Sequence, residues 1–262
     1  MPEHVTVKKL DWAERWLRDG LEISQLPAAV KIIEIDMTKA TQSIHLLRAQ
    51  GHRVTFTHLI VRAAALALAG NPDLNVMLAG NRRFYPTTVT IGVSVATDSF
   101  VAPVLVIAEA DTKPLVTLAR EMAERKETLL AESEKLLKRL RRWGWLIPFS
   151  FARRFLLRLM ARNFETRQNI SGTIQVTSLR QVDTTIPLTF GSTAVLGVGR
   201  VGERVVAVSG QPAVRSTLNL VCTSDHRVWD GRTAEKFLVE IKNILESGAY
   251  DEASPSKILS SR

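Results

Sequence analysis

Residues 57–69 (THLIVRAAALALA) are rich in Ala and Leu, open at a Thr and stop at Gly70, Asn71 and Pro72. Such a stretch reads as a buried helix with a sharp end. It falls short of the 18 or so apolar residues needed to span a bilayer, so other parts of the protein must cover it. The chain therefore needs a sizeable core, and 262 residues of which 45% are hydrophobic can supply one. The same composition excludes collagenous, coiled-coil and wholly disordered chains.

The elements around that helix alternate in type. The β-branched run 28–36 (AAVKIIEID) predicts a strand, followed by a capped helix from about 39 to 49. Strands are expected over 82–85, 88–96 and 101–107, separated by turn residues such as Gly80, Asn81, Pro86, Asp98 and Ser99. Thr112 and Pro114 open a long helical pattern reaching Arg142, and Ser150 can cap a second helix to about Phe164. Four strands near 173–179, 193–201, 204–208 and 216–223 precede a final helix over 232–247, while the Ser-rich residues 251–262 read as a flexible tail. With no internal repeat and no central linker, the pattern predicts a single α+β domain over 1–250 with eight or nine strands.

Cys222 is the only cysteine, which excludes an internal disulfide and a cysteine-based zinc site. The first ten residues lack the apolar run of a secretory signal, so a cytoplasmic location is expected. The net charge of +9 is mostly local: residues 129–167 hold ten basic residues against three acidic ones. Charge alone would suggest nucleic acid, but no base-reading motif accompanies it, and nucleic-acid binding is not expected.

The segment most informative about chemistry is 222–237 (CTSDHRVWDGRTAEKF). A Leu- and Val-rich strand ends in polar residues, His226 stands at its exit, and Asp230 and Gly231 lead into the last helix. A histidine at a strand end can project into a cleft from a fixed backbone. Asp230 is equally suited to capping the helix, and Asp225 with Arg227 could be a structural ion pair or part of a site. Cys222 would lie about 13 Å from His226 along an extended strand, which favours a buried structural role. His45, His52 and His58 have no acidic or Cys partners at metal spacing.

Residues 225–231 (DHRVWDG) resemble the D-H-R-x-x-D-G signature of the dihydrolipoyl acyltransferase component of 2-oxo acid dehydrogenase complexes. Three further blocks agree in order and spacing: 57–78 with its P-x-L-N turn, 90–111, and 172–199 with its closing A-V-L-G-V-G. The resemblance spans about 28–248, outside the basic insertion. It implies a chloramphenicol acetyltransferase-like two-layer fold with a mixed β-sheet and flanking helices, and an acyltransferase using coenzyme A as its acyl-CoA substrate. It also implies His226 as general base, Thr177 as the hydroxyl that stabilises the oxyanion, and Asp230 as the carboxylate ordering the loop. An imidazole with an ordinary pKa near 6.5 suits deprotonation of a thiol near 8.5. The family further implies a homotrimer, or a multiple of three, whose active sites lie between subunits, with the hydroxyl coming from the neighbour.

The chain departs from the family in four places. No lipoyl-type lysine turn is present, so no covalently attached lipoyl group is expected. The D-T-P-R-G-L hairpin is replaced by 96–100 (ATDSF), and Arg180 stands where the family has Gly. These lie near the expected substrate channel and leave the acceptor open between dihydrolipoamide and other molecules. Finally, 129–167 forms a basic, aromatic helical-hairpin insertion, with Trp143, Trp145, Phe149, Phe151 and Phe155 beside Arg154, Arg158 and Arg162. That composition suits packing on the protein itself, or contact of 143–162 with an anionic membrane surface. The competing expectations are an acyltransferase acting on acyl-CoA and a separate acceptor, and a noncatalytic trimeric scaffold that reaches a membrane or partner through the insertion.

Overall fold

The computed structural model describes residues 10–23, 27–97, 102–189 and 191–250. The turn expected at 98–99 and the tail at 251–262 lie outside the described residues. In chain order the elements are α1 (Trp12–Ile23), β1 (Ala28–Asp36), α2 (Thr38–Ala49), α3 (Phe56–Ala69), β2 (Met77–Ala79), β3 (Arg82–Phe84), β4 (Ile91–Ser94), β5 (Val104–Ile107), α4 (Leu115–Trp143), α5 (Ser150–Ala161), α6 (Phe164–Ser171), β6 (Ile174–Ser178), β7 (Ala194–Val198), β8 (Gly202–Val208), β9 (Gln211–Asp225) and α7 (Gly231–Ser247).

The Ala- and Leu-rich run 57–69 lies in α3, where Leu59 through Leu68 are all buried. It packs on α7 and α4 and faces β4 and β6 of the main sheet. That sheet has the order β1-β9-β7-β6-β4-β5, with β8 pairing the N-terminal half of β9. The β4–β6 and β6–β7 pairs are parallel and the others antiparallel, so the sheet is mixed. All five residues of β7 are buried, as expected of a central strand covered on both faces. The crossing from α6 into β6 depends on Gly172 at φ +68, where a Cβ would stand 2.6 Å from the Gly92 nitrogen.

Helix α1 has no counterpart in the sequence reading, although Trp12, Ala13, Trp16 and Leu17 recur at helical spacing. It packs on α4 and α5 and pins the insertion to the body. Asp19 of α1 is fully buried and accepts hydrogen bonds from Ser150 Oγ (2.6 Å), Arg153 Nε (2.6 Å) and Arg154 Nε (3.2 Å). Burial by itself would raise the Asp19 pKa, but Ser150, Arg153, Arg18 and Arg154 together hold it down at about 2. Arg154 also pairs with Glu22. The expected exposed stripe of Arg154, Arg158 and Arg162 is therefore divided, with Arg154 used internally.

The helix expected over 150–164 is α5, which ends at Ala161, and a further short helix with no expected counterpart, α6, follows it. Asn163 separates the two, because its side chain accepts the Thr166 N–H at 2.9 Å and caps α6. Phe164 then stacks on Phe84 of β3 at 4.7 Å. No helix among the described residues is long and apolar enough to cross a membrane.

Candidate active site

Strand β9 delivers His226 to the end of the sheet, and the backbone around it is clamped from three directions. The Asp225 N–H donates to the Thr193 carbonyl at 2.9 Å, and the His226 N–H donates to that of Pro27 at 2.8 Å. The N–H groups of Val228 and Trp229 both return to the Asp225 carbonyl, at 2.9 and 3.0 Å. Trp229 is fully buried and meets Phe237 of α7 edge-on at 5.1 Å. The result is a rigid turn whose His226 side chain is exposed.

Asp225 and Arg227, flanking His226, form an ion pair. The buried Asp225 carboxylate accepts from Arg227 Nε (3.0 Å), Nη2 (2.8 Å) and main-chain N–H (3.1 Å). A second guanidinium, Arg167 of α6, stands close enough for Asp225 to raise its pKa, although burial lowers it overall. Arg167 donates from Nε to the Gly191 carbonyl at 2.9 Å and also to the carbonyl of Leu78. Arg167 is one of the basic residues of 129–167, and no local pattern marks it as a neighbour of the histidine turn.

Asp230 caps α7, accepting the Thr233 N–H at 2.8 Å. Its pKa lies below the usual carboxylate range, first through hydrogen bonds from Thr233 and to a smaller degree through the charge of His226. The structure thus brings His226 and Asp230 together at one end of the sheet.

Thr177 is elsewhere. On β6 it is paired with Gly197 of β7, which is paired with Val221 of β9. His226 lies five residues beyond Val221, so within one chain the two side chains are separated by roughly 16 Å along the strand direction, and by two strands sideways.

Beside Ser178, the residue after Thr177, is a cavity of about 200 Å³ lined by Arg48, Arg180, Arg200, Thr55 and Phe56. His58 accepts the Thr55 N–H at 3.3 Å, and burial, then the charge of Arg180, pushes its pKa down to about 4. Cys222 is fully buried and burial pushes its thiol up to about 12, which removes it as a nucleophile. Among the described residues no group of His, Cys, Asp and Glu could hold a metal ion.

The family model for 2-oxoacid dehydrogenases acyltransferase (catalytic domain) matches residues 17–136 and 161–250. Residues 137–160, the end of α4 and most of α5, fall outside that match. The lipoamide acyltransferase component of the branched-chain alpha-keto acid dehydrogenase complex of Bacillus subtilis (strain 168) is 29% identical over 234 residues, covering 86% of this chain and 48% of that protein. The dihydrolipoyllysine-residue succinyltransferase component of the 2-oxoglutarate dehydrogenase complex of Azotobacter vinelandii is 29% identical over 203 residues, 76% of this chain and 43% of that protein. The chain spans about half the length of the curated relatives it matches. Among solved structures, a probable dihydrolipoamide acetyltransferase from Listeria monocytogenes 4b F2365 superposes with a TM-score of 0.69 at 22% identity, covering 93% of this chain and 95% of that one. Chloramphenicol acetyltransferase superposes with a TM-score of 0.52 at 13% identity, covering 94% and 100%. The fold is the chloramphenicol acetyltransferase-like fold expected from the sequence.

Proposed function

The chain belongs to the 2-oxoacid dehydrogenase acyltransferase family through its catalytic domain, and from that premise we propose that it moves an acyl group between coenzyme A and a second thiol, hydroxyl or amine on a separate molecule. The observation that carries the proposal is the clamped turn presenting an exposed His226 beside the Asp230 cap. In this reading the His226 imidazole accepts the proton of the attacking thiol, hydroxyl or amine, then returns it to the leaving group. For a thiol of pKa near 8.5, ionisation at pH 7 costs about 2 kcal/mol without such a base. The Thr177 hydroxyl donates to the carbonyl oxygen as it gains negative charge. Asp230 keeps the turn in register by holding the start of α7.

One chain does not assemble this set, because His226 and Thr177 stand at opposite ends of the sheet. That separation supports a site between copies, with His226 from one subunit and Thr177 from its neighbour in a trimer or a multiple of three. The cavity next to Ser178 suits the phosphates of coenzyme A: Arg48 and Arg180 line it beside Arg200, which Asp183 already holds in an ion pair, and no acidic residue lines it. Those arginines would hold and orient the polyanion near the Thr177 end of the site.

The test mixes chains. His226→Ala and Thr177→Ala proteins, each inactive alone, should regain activity when coexpressed, because random assembly leaves about one interface in four with both groups intact. Light scattering should report a trimer or a multiple of three. A stable, fully active monomer would overturn the shared site, and a well-formed trimer with no acyl transfer from any acyl-CoA would favour the noncatalytic scaffold.

A second reading applies to residues 143–162, as contact with an anionic membrane surface. It rests on the exposure of Phe151 (72%), Phe155 (69%) and Trp145 (53%) on one basic hairpin. Co-sedimentation with anionic liposomes should be strong at low salt, weak at high salt, and lost in the Phe151→Glu/Phe155→Glu double variant. Absence of binding at low salt would leave the hairpin as a packing element.

A further inference from the structure

A cavity of about 430 Å³ lies between the C-terminal end of α5, α6, α1 and the β2–β3 hairpin. Its walls are apolar, contributed by Ile23, Leu78, Leu157, Met160 and Ile170. Four guanidinium-bearing residues also line it, Arg158, Arg162, Arg167 and Arg227, and no acidic residue does.

The charges around it are unevenly matched. On α5, Arg153 and Arg154 are neutralised by Asp19 and Glu22 of α1. Arg158 and Arg162, one turn apart at the cavity, enter no ion pair among the described residues. Arg167 hydrogen-bonds to uncharged carbonyls, and the neighbouring Asp225 is taken by Arg227 in a two-pronged pair. Like charges gathered at an apolar space repel one another, and an anion entering there would relieve them. A small hydrated anion would not use the apolar walls, whereas an alkyl chain would.

We propose that this cavity binds a single-chain amphiphile with an anionic head, its carboxylate or phosphate against Arg158 and Arg162 and its alkyl chain along Leu157, Met160 and Ile170. Part of the site is built from residues outside the family match. Arg227 joins its lining to His226, its neighbour in the chain, so the ligand would sit beside the histidine turn. The proposal does not depend on acyl transfer, and its readout is binding alone.

Isothermal titration calorimetry of the full chain with dodecanoate, below its micelle concentration, tests it. One saturable site per chain is expected, at least tenfold tighter for dodecanoate than for octanoate because of the longer buried chain. A parallel titration with dodecyl phosphate distinguishes a carboxylate from a phosphate head. The double variant Arg158→Ala/Arg162→Ala should weaken binding at least tenfold. Ala161→Trp, which fills the cavity from an exposed lining position, should abolish it. The Phe151→Glu/Phe155→Glu variant, which alters only the outer aromatic face, should bind normally. Failure of both anionic probes to bind the wild-type chain would overturn the proposal, as would equal binding of dodecyltrimethylammonium or undiminished binding in Ala161→Trp.

Discussion

Replacing His226 with alanine is expected to lower the turnover of an acyl-CoA by about 10² to 10⁴, the range in which a positioned general base contributes. The effect should fall on chemistry and leave the fold intact. The contact that His226 makes in holding the turn is its main-chain N–H to Pro27, which alanine keeps. Trp229 and the Asp225–Arg227 pair, which fix the rest of the turn, are untouched by the substitution. Circular dichroism together with a coenzyme A release assay separates the two effects. An unchanged rate with native dichroism would remove His226 from the mechanism.

Replacing Asp19 with alanine should destabilise the protein by about 3–5 kcal/mol, the cost of leaving a buried ion pair with one partner. Arg153 is only 2% exposed, and without Asp19 its remaining acceptors are the Ile147 and Pro148 carbonyls. Ser150 and Arg154 lose the same acceptor, so the loss should concentrate where α5 meets α1. Chemical denaturation measures the total, and hydrogen exchange should locate the opening in α5. The pH dependence has a definite sign. Since the folded Asp19 titrates near 2, below the ordinary carboxylate value of 3.8, its contribution is fully present above pH 4 and is lost as pH falls toward 2. Asp19→Asn should remove that acid dependence. A change below 1 kcal/mol in Asp19→Ala would mean that apolar contacts alone hold the insertion.

Much of the site was legible because its signals are local. The strand, polar exit, aspartate and glycine of residues 222–231 follow one another directly, so His226 could be assigned to a strand end and Asp230 to a helix start from spacing alone. The structural role of Cys222 followed from its distance to His226 along the strand, and it is fully buried. The break between α5 and α6 was also written locally, in Asn163, a residue whose side chain competes for the next helix's N–H groups. What has no counterpart is the short helix beyond it, α6, whose residues 164–171 (FETRQNIS) carry little apolar periodicity. Helix α1 was also written locally, in the recurrence of Trp12, Ala13, Trp16 and Leu17, but the sequence expectations place no helix there.

The strongly periodic elements, the buried helix α3 among them, and the placement of His226 at a strand end were readable because each depends on residues a few positions apart whose periodicity and propensities act on the local backbone, while the family of the histidine turn came from its resemblance to a known motif. Which charges meet was decided only by the tertiary structure. Asp19 finds Arg153 across 134 residues, Arg167 comes to lie near Asp225, and Arg158 and Arg162 are left facing a cavity although Arg158 shares α5 with the paired Arg153 and Arg154 and Arg162 caps its end. No local pattern distinguishes these arginines, because an ion pair depends on distance and burial in space, and both are set by how the helices pack. The separation of Thr177 from His226 has the same origin. It follows from strand order and register, which are properties of the whole sheet.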